Sequence, residues 1–218
     1  MNLEASIIYY SSSREDTEFE RKIQQTIKTN SGELDIYSVT QKPTNFGNNI
    51  AVGNVGVSGF NCLRQMLLAA KAAPTRFVIH TEADCLYPPD YFTFRPETHP
   101  DTACYRNVNT YLIGYTRDCF WKKKEGGMWC QIINRELLIR RLEELFKGQP
   151  MWDTTKKNFP KEIKKKFFDK FEYFSTKNPC ISFKTGKGMR KFSHSERIDI
   201  PELPYFGKAS DLVNQYIG

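Results

Sequence analysis

Apolar positions along this chain recur in two rhythms, and their alternation predicts its elements. "ASIIYYSS" (Ala5–Ser12) is a short continuous apolar run, the pattern of a strand buried on both faces. "TEFERKIQQTIKTN" follows a loop at Ser13–Asp16 and sets Phe19, Ile23 and Ile27 at helical spacing, until Asn30–Gly32 stops it. "LDIYSVTQ" (Leu34–Gln41) reads as a second strand ended by Pro43. "SGFNCLRQMLLAAKAA" predicts a helix capped near Ser58 and closed before Pro74. "RFVIHTEADCLYPPDYF" (Arg76–Phe92) then supplies a third strand on Phe77, Val78 and Ile79, which runs into two carboxylates, Glu82 and Asp84, and a turn at Pro88 and Pro89. Strand, helix and strand in this order predict an α/β fold with parallel pairing.

The remainder is less regular. Pro43–Gly59, rich in glycine and asparagine, reads as a long functional loop. Strands are expected near Ala103–Val108 and Thr110–Tyr115, and "RDCFWKKKEGG" separates them from "MWCQIINRELLIRRLEELFKG". In that last segment Leu137, Leu138, Leu142, Leu145 and Phe146 form an apolar helix face, with Gly148 at its end. "FPKEIKKKFFDKFEYF" is an aromatic, basic helix candidate, and "CISFKTGKGMRKFSH" predicts a hairpin around Gly186 and Gly188. The tail carries prolines and a terminal helix.

Composition bounds this picture without changing it. A chain of 218 residues suffices for one sizeable core, and 14% aromatic residues argue for a folded chain. No stretch approaches the roughly 18 apolar residues that cross a bilayer. "MNLEASIIYY" has no basic segment ahead of its short apolar run, so the expectation is a cytoplasmic protein without integral membrane association. The six cysteines form no close pair of the zinc-finger type and read as small apolar residues. Charge is the uneven feature: residues 156–191 carry a net +9 against +7 for the whole chain. Such a block suits an anionic polymer or membrane surface, or simply solvation.

Carboxylates at the carboxyl end of a strand sit where open α/β sheets bind ligands. Positions two apart in a strand face the same way, so Glu82 and Asp84 could share a divalent ion that bridges to a diphosphate. Oxygen ligands alone do not separate Mg2+ from Mn2+. The other reading is an acidic loop in which Asp84 caps the turn at Tyr87–Pro89.

Ile7–Ser13, Ile36–Pro43, "GVSGFNCLRQ" and Glu82-Ala83-Asp84 together resemble a glycosyltransferase of the GT-A fold. The likeness is greatest to the inverting family-two type and its small phage-encoded or viral relatives, over residues 5–146. The resemblance implies a Rossmann-type open mixed sheet flanked by helices in a single domain, 1–218. Residues 1–100 would form the nucleotide-sugar half and 101–218 the acceptor half. It implies Asp84 as main ligand for Mn2+ or Mg2+, with Glu82 near the ribose or the ion. The family pattern has Asp where this chain has Glu82. His194 matches by position a late histidine ligand, His80 falls on the Glu82 side, and His99 reads as a loop residue. Ser11, Ser12, Ser13 and Arg14 fit the donor's phosphates, Tyr9 or Tyr10 its uracil, and Thr40 and Gln41 the base's surroundings. Lys187 and Arg190 fit the departing diphosphate. For the base that takes the acceptor's proton, Asp153, Glu125 and Asp118 remain open.

The implied donor is a UDP-sugar. Phe159, Phe167, Phe168, Phe171, Tyr173 and Phe174 stand among lysines, a mixture that can stack bases and track phosphates. With the phage resemblance, this makes a hydroxymethyl-pyrimidine in DNA the leading acceptor expectation, in a host cytoplasm. A glycan or lipid-linked glycan acceptor is the alternative, and a non-catalytic nucleic-acid-binding protein is a third reading.

Overall fold

The computed structural model describes residues 5–95, 104–114, 119–155, 171–184, 195–196 and 198–218. Strand β1 (Ala5–Ser11) is buried along its whole length, which explains its unbroken apolar run. Its odd and even side chains enter two separate cores. Ile7 and Tyr9 pack with helix α1 (Thr17–Ser31), while Ile8 and Tyr10 pack with helix α2 (Gly59–Ala72). Asp16 caps α1 by accepting from the Glu18 and Phe19 amides at 2.9 and 3.0 Å, and Ser58 caps α2 by accepting from the Asn61 amide at 3.0 Å.

The main sheet is built from β1, β2 (Ile36–Thr40), β3 (Asn48–Ala51), β4 (Phe77–Glu82), β6 (Cys104–Asn107), β9 (Gln131–Asn134) and β10 (Glu172–Phe174). Their order is β10-β6-β9-β4-β1-β2-β3, and β9 alone runs against its neighbours. Helix α4 (Arg135–Phe146) joins α2 on one face. On the other face lie α1, the terminal helix α5 (Ala209–Tyr216) and a second sheet. This smaller sheet contains β5 (Cys85–Leu86), β7 (Thr110–Gly114), β8 (Phe120–Lys122) and β11 (Cys180–Lys184), in the order β5-β11-β7-β8. A short ribbon of β12 (Glu202–Leu203) and β13 (Gly207–Lys208) precedes α5.

The differences from the sequence reading have physical causes. Pro43–Gly59 contains the edge strand β3, whose side chains are largely exposed and so lack an alternating signal. "QIIN" ahead of α4 is a strand, with Ile132 and Ile133 pointing into opposite cores and Asn134 capping the helix. The two strands expected near Ala103–Tyr115 exist, but they belong to different sheets. Pro88 and Pro89 start a short helix α3 (Pro89–Thr93). The end of the expected basic helix is instead strand β10, where pairing with β6 and burial of Phe174 override the helical pattern, and residues 159–170 fall outside the described residues. The expected hairpin after Cys180 is also corrected: β11 is paired on both edges, by β5 and β7, and residues 185–194 fall outside the described residues. Among the described residues no helix is long and apolar enough to cross a membrane.

Buried Gln65 of α2 ties the carboxyl ends of two strands together, donating to the Ser11 carbonyl at 2.6 Å and the Val39 carbonyl at 3.2 Å. Gln65→Leu keeps the volume and removes the donor, so it should destabilise the fold by about 1–3 kcal/mol. Urea unfolding measures this, and an unchanged midpoint would mean that the clamp does not hold the strand ends.

Candidate active site

The chain leaves β1 for β2 and β3 on one side, then returns through α2 to place β4 on the other side of β1. All four strands are parallel, so their carboxyl ends share one edge, and the reversal opens a crevice between the ends of β1 and β4. Register aligns Ser11 with Thr40 and Tyr10 with Glu82 across that edge.

Backbone contacts hold the carboxylates there. The Tyr87 hydroxyl accepts from the Glu82 amide at 3.0 Å and donates to the Trp129 carbonyl at 2.8 Å, pinning the turn after β4. The Asp84 carbonyl accepts from the Phe183 amide of β11 at 2.7 Å. Side-chain donor atoms of Glu82, Asp84 and Cys85 lie within 4.8 Å of one another, with both carboxylates partly buried. Burial, and next the charge of Asp84, push the Glu82 carboxyl up to about 7. Burial likewise raises Asp84, opposed by the Lys184 ammonium and by the Cys85 thiol, whose sulfur lies 3.3 Å from Asp84 Oδ1. Burial and the neighbouring carboxylates raise the Cys85 thiol well above its ordinary value, which keeps it protonated. Cys62, in the first turn of α2, is raised by burial and then by Glu82 and Asp84, which sets that turn beside the pair.

Two oxygen donors in a half-dry crevice, each raising the cost of ionising the other, suit a hard divalent cation. Glu82 and Asp84 are the residues that would hold it. The protonated thiol of Cys85 serves better as a donor to Asp84 than as a ligand.

The other expected site residues divide into groups. Tyr9 is a correction: its ring is fully buried on the α1 face, edge-on to Phe46 at 4.9 Å, and its hydroxyl donates to Glu20 at 2.6 Å. Strand alternation turns it away from the crevice, so it is unavailable for stacking on a base. Tyr10 faces the Glu82 side. Ser11 and Ser13 brace their own loop, with the Ser13 amide donating to Ser11 Oγ at 2.9 Å and the Lys42 amide to Ser13 Oγ at 3.2 Å. Ser13 takes a left-handed φ of 51°, Ser12 is partly exposed, and exposed Arg14 sits 3.2 Å from Glu15. The Thr40 hydroxyl donates to the Lys42 carbonyl at 2.6 Å, and Gln41 donates to the Gly56 carbonyl at 2.8 Å. A cavity of about 210 Å³ opens beside these loops, lined among others by Ser13, Gln24, Thr40 and Lys42.

Asp153 docks on the amino end of α2. Its amide donates to Asn61 Oδ1 at 2.8 Å, its carbonyl accepts from Ser58 Oγ at 2.6 Å, and its carboxylate accepts from the Thr155 amide and hydroxyl at 2.7 and 2.6 Å. Glu125 is exposed, and its charge is felt by Lys123, which also feels Lys184. Asp118, Lys187, Arg190, His194 and His99 lie outside the described residues.

Sequence reasoning missed Lys184 and Cys62. Lys184 ends the apolar run "CISF" much as Glu82 ends "FVIHT", and that shared pattern was the available signal. Cys62 gave none, because its partners lie on another element.

No protein-family model matches this chain, and no curated protein does. Among solved structures, the glycosyltransferase GlyE of Streptococcus pneumoniae TIGR4 aligns at 12% identity with a TM-score of 0.50, over 99% of this chain and 63% of that one. A glycosyltransferase involved in glycosylation of the major capsid of PBCV-1 aligns at 12% identity and 0.47, over 78% of this chain and 81% of that one. The bifunctional IspDF of Campylobacter jejuni aligns at 14% identity and 0.46, over 80% of this chain and 50% of that one. The chain therefore spans only half to about two thirds of GlyE and IspDF. These likenesses concern architecture: a mixed α/β sheet flanked by helices, in a Rossmann-like, GT-A-like fold.

The raised Glu82 gives a pH signature. Between the ordinary carboxyl value of 4.5 and about 7, the folded state binds more protons than the unfolded chain, so this group's contribution to stability falls as pH rises. In chelator, Glu82→Gln should gain on the parent by about 1–3 kcal/mol between acidic pH and pH 8, seen in paired denaturation curves. A difference that stays flat with pH would show that Glu82 ionises freely.

Proposed function

We propose that the protein transfers a sugar from a nucleotide diphosphate, a UDP-sugar, to a hydroxyl of a glycan or lipid-linked glycan. The observation that carries the proposal is the Glu82–Asp84 pair at the crevice where the strand order reverses. On this reading residues 1–100 bind the donor and 101–218 shape the acceptor side. Asp84, with Glu82, would hold a Mn2+ or Mg2+ ion, which when bound offsets the charge of the diphosphate leaving group. The Ser11–Arg14 loop and the neighbouring cavity receive the nucleotide, with Tyr10 behind Glu82 and with Thr40 and Gln41 bracing the wall. Lys184 supplies positive charge on the β11 side, and Lys187, Arg190 and His194 extend that side in sequence.

The acceptor oxygen attacks the anomeric carbon, the bond from that carbon to the diphosphate oxygen breaks, and the nucleotide diphosphate departs. The acceptor's proton passes to a carboxylate. Asp153 is best supported for this role because it is anchored on the turn of α2 that neighbours Glu82 and Asp84, ahead of Glu125 and Asp118.

A glycan acceptor is favoured over DNA by the described aromatics of the basic segment, Phe171, Tyr173 and Phe174; Phe159, Phe167 and Phe168 lie outside the described residues. Phe174 is buried and stacks on Phe94 at 3.9 Å, and partly buried Phe171 covers the Arg106 guanidinium at 3.9 Å. These rings pack into the fold, leaving Tyr173 as the exposed aromatic of that strand.

Incubation with UDP-glucose, UDP-galactose and UDP-N-acetylglucosamine in Mn2+, with a mixed oligosaccharide acceptor to receive the sugar, should release UDP, and Asp84→Ala should lower that release a hundred- to a thousandfold with unchanged circular dichroism. Release at the parent rate in Asp84→Ala would remove Asp84 from the site. No release and no thermal stabilisation from a wider panel of donors and nucleoside diphosphates would remove the transferase reading.

A further inference from the structure

On the α2 face of the main sheet, a row of polar side chains crosses an otherwise apolar layer. It begins at the crevice with Glu82 on β4, touches four neighbouring strands, β1, β4, β9 and β6, and ends at Arg106 on β6. The Tyr10 hydroxyl donates to Glu82 Oε1 at 3.1 Å and lies 3.4 Å from His80 Nδ1. Gln131 Nε2 lies 3.3 Å from His80 Nε2 and 3.5 Å from Nδ1. Arg106 Nε donates to Gln131 Oε1 at 3.3 Å, and Phe171 covers the guanidinium. Tyr10, His80, Gln131 and Arg106 are all buried, at 9% exposure or less, among Ile8, Val78, Cys104 and Ile133.

Donor and acceptor chemistry gives this row one direction. Arg106 can only donate, so the Gln131 oxygen must face it and the Gln131 amino group must face the imidazole. Glu82 accepts the single proton of the Tyr10 hydroxyl, so toward His80 that hydroxyl can only accept. The Gln131 amino group can only donate and lies 3.3 Å from Nε2, so that nitrogen accepts and the ring is neutral with a single N–H. The proton must then sit on Nδ1, leaving Nε2 to accept from Gln131. Every group in the row is satisfied by this arrangement. Buried polar groups cost stability when any partner is missing, and a complete chain fixes its end group in one orientation.

We propose that Tyr10 and His80 are positioning residues that hold the Glu82 carboxylate toward the crevice, through a one-way chain of donors starting at Arg106 with His80 as its Nδ1–H tautomer. The chain itself stands on geometry, and its consequence for ligand binding rests on the reading of Glu82 as part of the cation site. Mutating Tyr10 therefore acts on the cation through Glu82, without Tyr10 touching it.

The test begins with the tautomer. His99→Gln and His194→Gln together leave His80 as the sole histidine. In the chelated, 15N-histidine-labelled protein at pH 8.5, where Glu82 is ionised, long-range proton–nitrogen correlation should show a protonated Nδ1 and an unprotonated Nε2. In the otherwise unchanged chain, Tyr10→Phe should weaken Mn2+ binding roughly tenfold, measured calorimetrically, and should add nothing in a Glu82→Gln background. A protonated Nε2, or an unchanged Mn2+ affinity in Tyr10→Phe, overturns the relay. An Nδ1–H tautomer in a protein that binds no Mn2+ keeps the relay and removes the cation reading. Mn2+ binding with a protonated Nε2 does the reverse.

Discussion

Two like charges held together at the mouth of a buried strand are the constraint around which this molecule is arranged. Separated carboxylates in water ionise freely, whereas Glu82 and Asp84 share a half-dry crevice and each makes the other's charge costlier. Among the described residues no close salt bridge neutralises them. The surrounding structure fixes them instead, through the Tyr87 hydroxyl on the Glu82 amide, the Phe183 amide on the Asp84 carbonyl, and the Tyr10 hydroxyl on the Glu82 carboxylate. An arrangement that retains repulsion while restricting motion is suited to a positive ligand arriving from outside.

The two cores serve that arrangement differently. On the α1 face, β5 and β11 pack behind the turn that bears Asp84, so the smaller sheet begins where the main sheet's carboxylates end. On the α2 face the helix brings its amino end, with Asp153 docked upon it, to the same crevice. The alternation of β1 decides which tyrosine belongs to which task. Tyr9 joins the α1 core and Glu20, and Tyr10 joins Glu82.

Much of the frame was legible because its strands are buried on both faces or its helices carry one apolar stripe. β1, α1, β2, α2, β4 and α5 correspond to segments readable from the chain. The small sheet was harder: β5 has two residues and β8 three, too short for any period to register. β9 was hidden because "QIIN" is continuous with a helical pattern, and only its opposed isoleucines mark it as a strand. Within the site, the strand-end carboxylates were visible from position alone. Tyr9 could not be distinguished from Tyr10 without knowing which face turns toward α2, and the neighbourhood of Cys62, Asp153 and Lys184 depends on contacts between distant elements.

In the proposed reaction a cation bound by Asp84 and Glu82 secures a nucleotide's diphosphate between the ends of β1 and β4. Anomalous diffraction at the manganese edge, from crystals grown with Mn2+ and UDP, tests it most directly. One strong peak should appear in contact with Asp84 and the diphosphate, beside the Ser11–Arg14 loop. Nucleotide bound elsewhere, or a crevice with no anomalous peak while Mn2+ occupies another site, would contradict it.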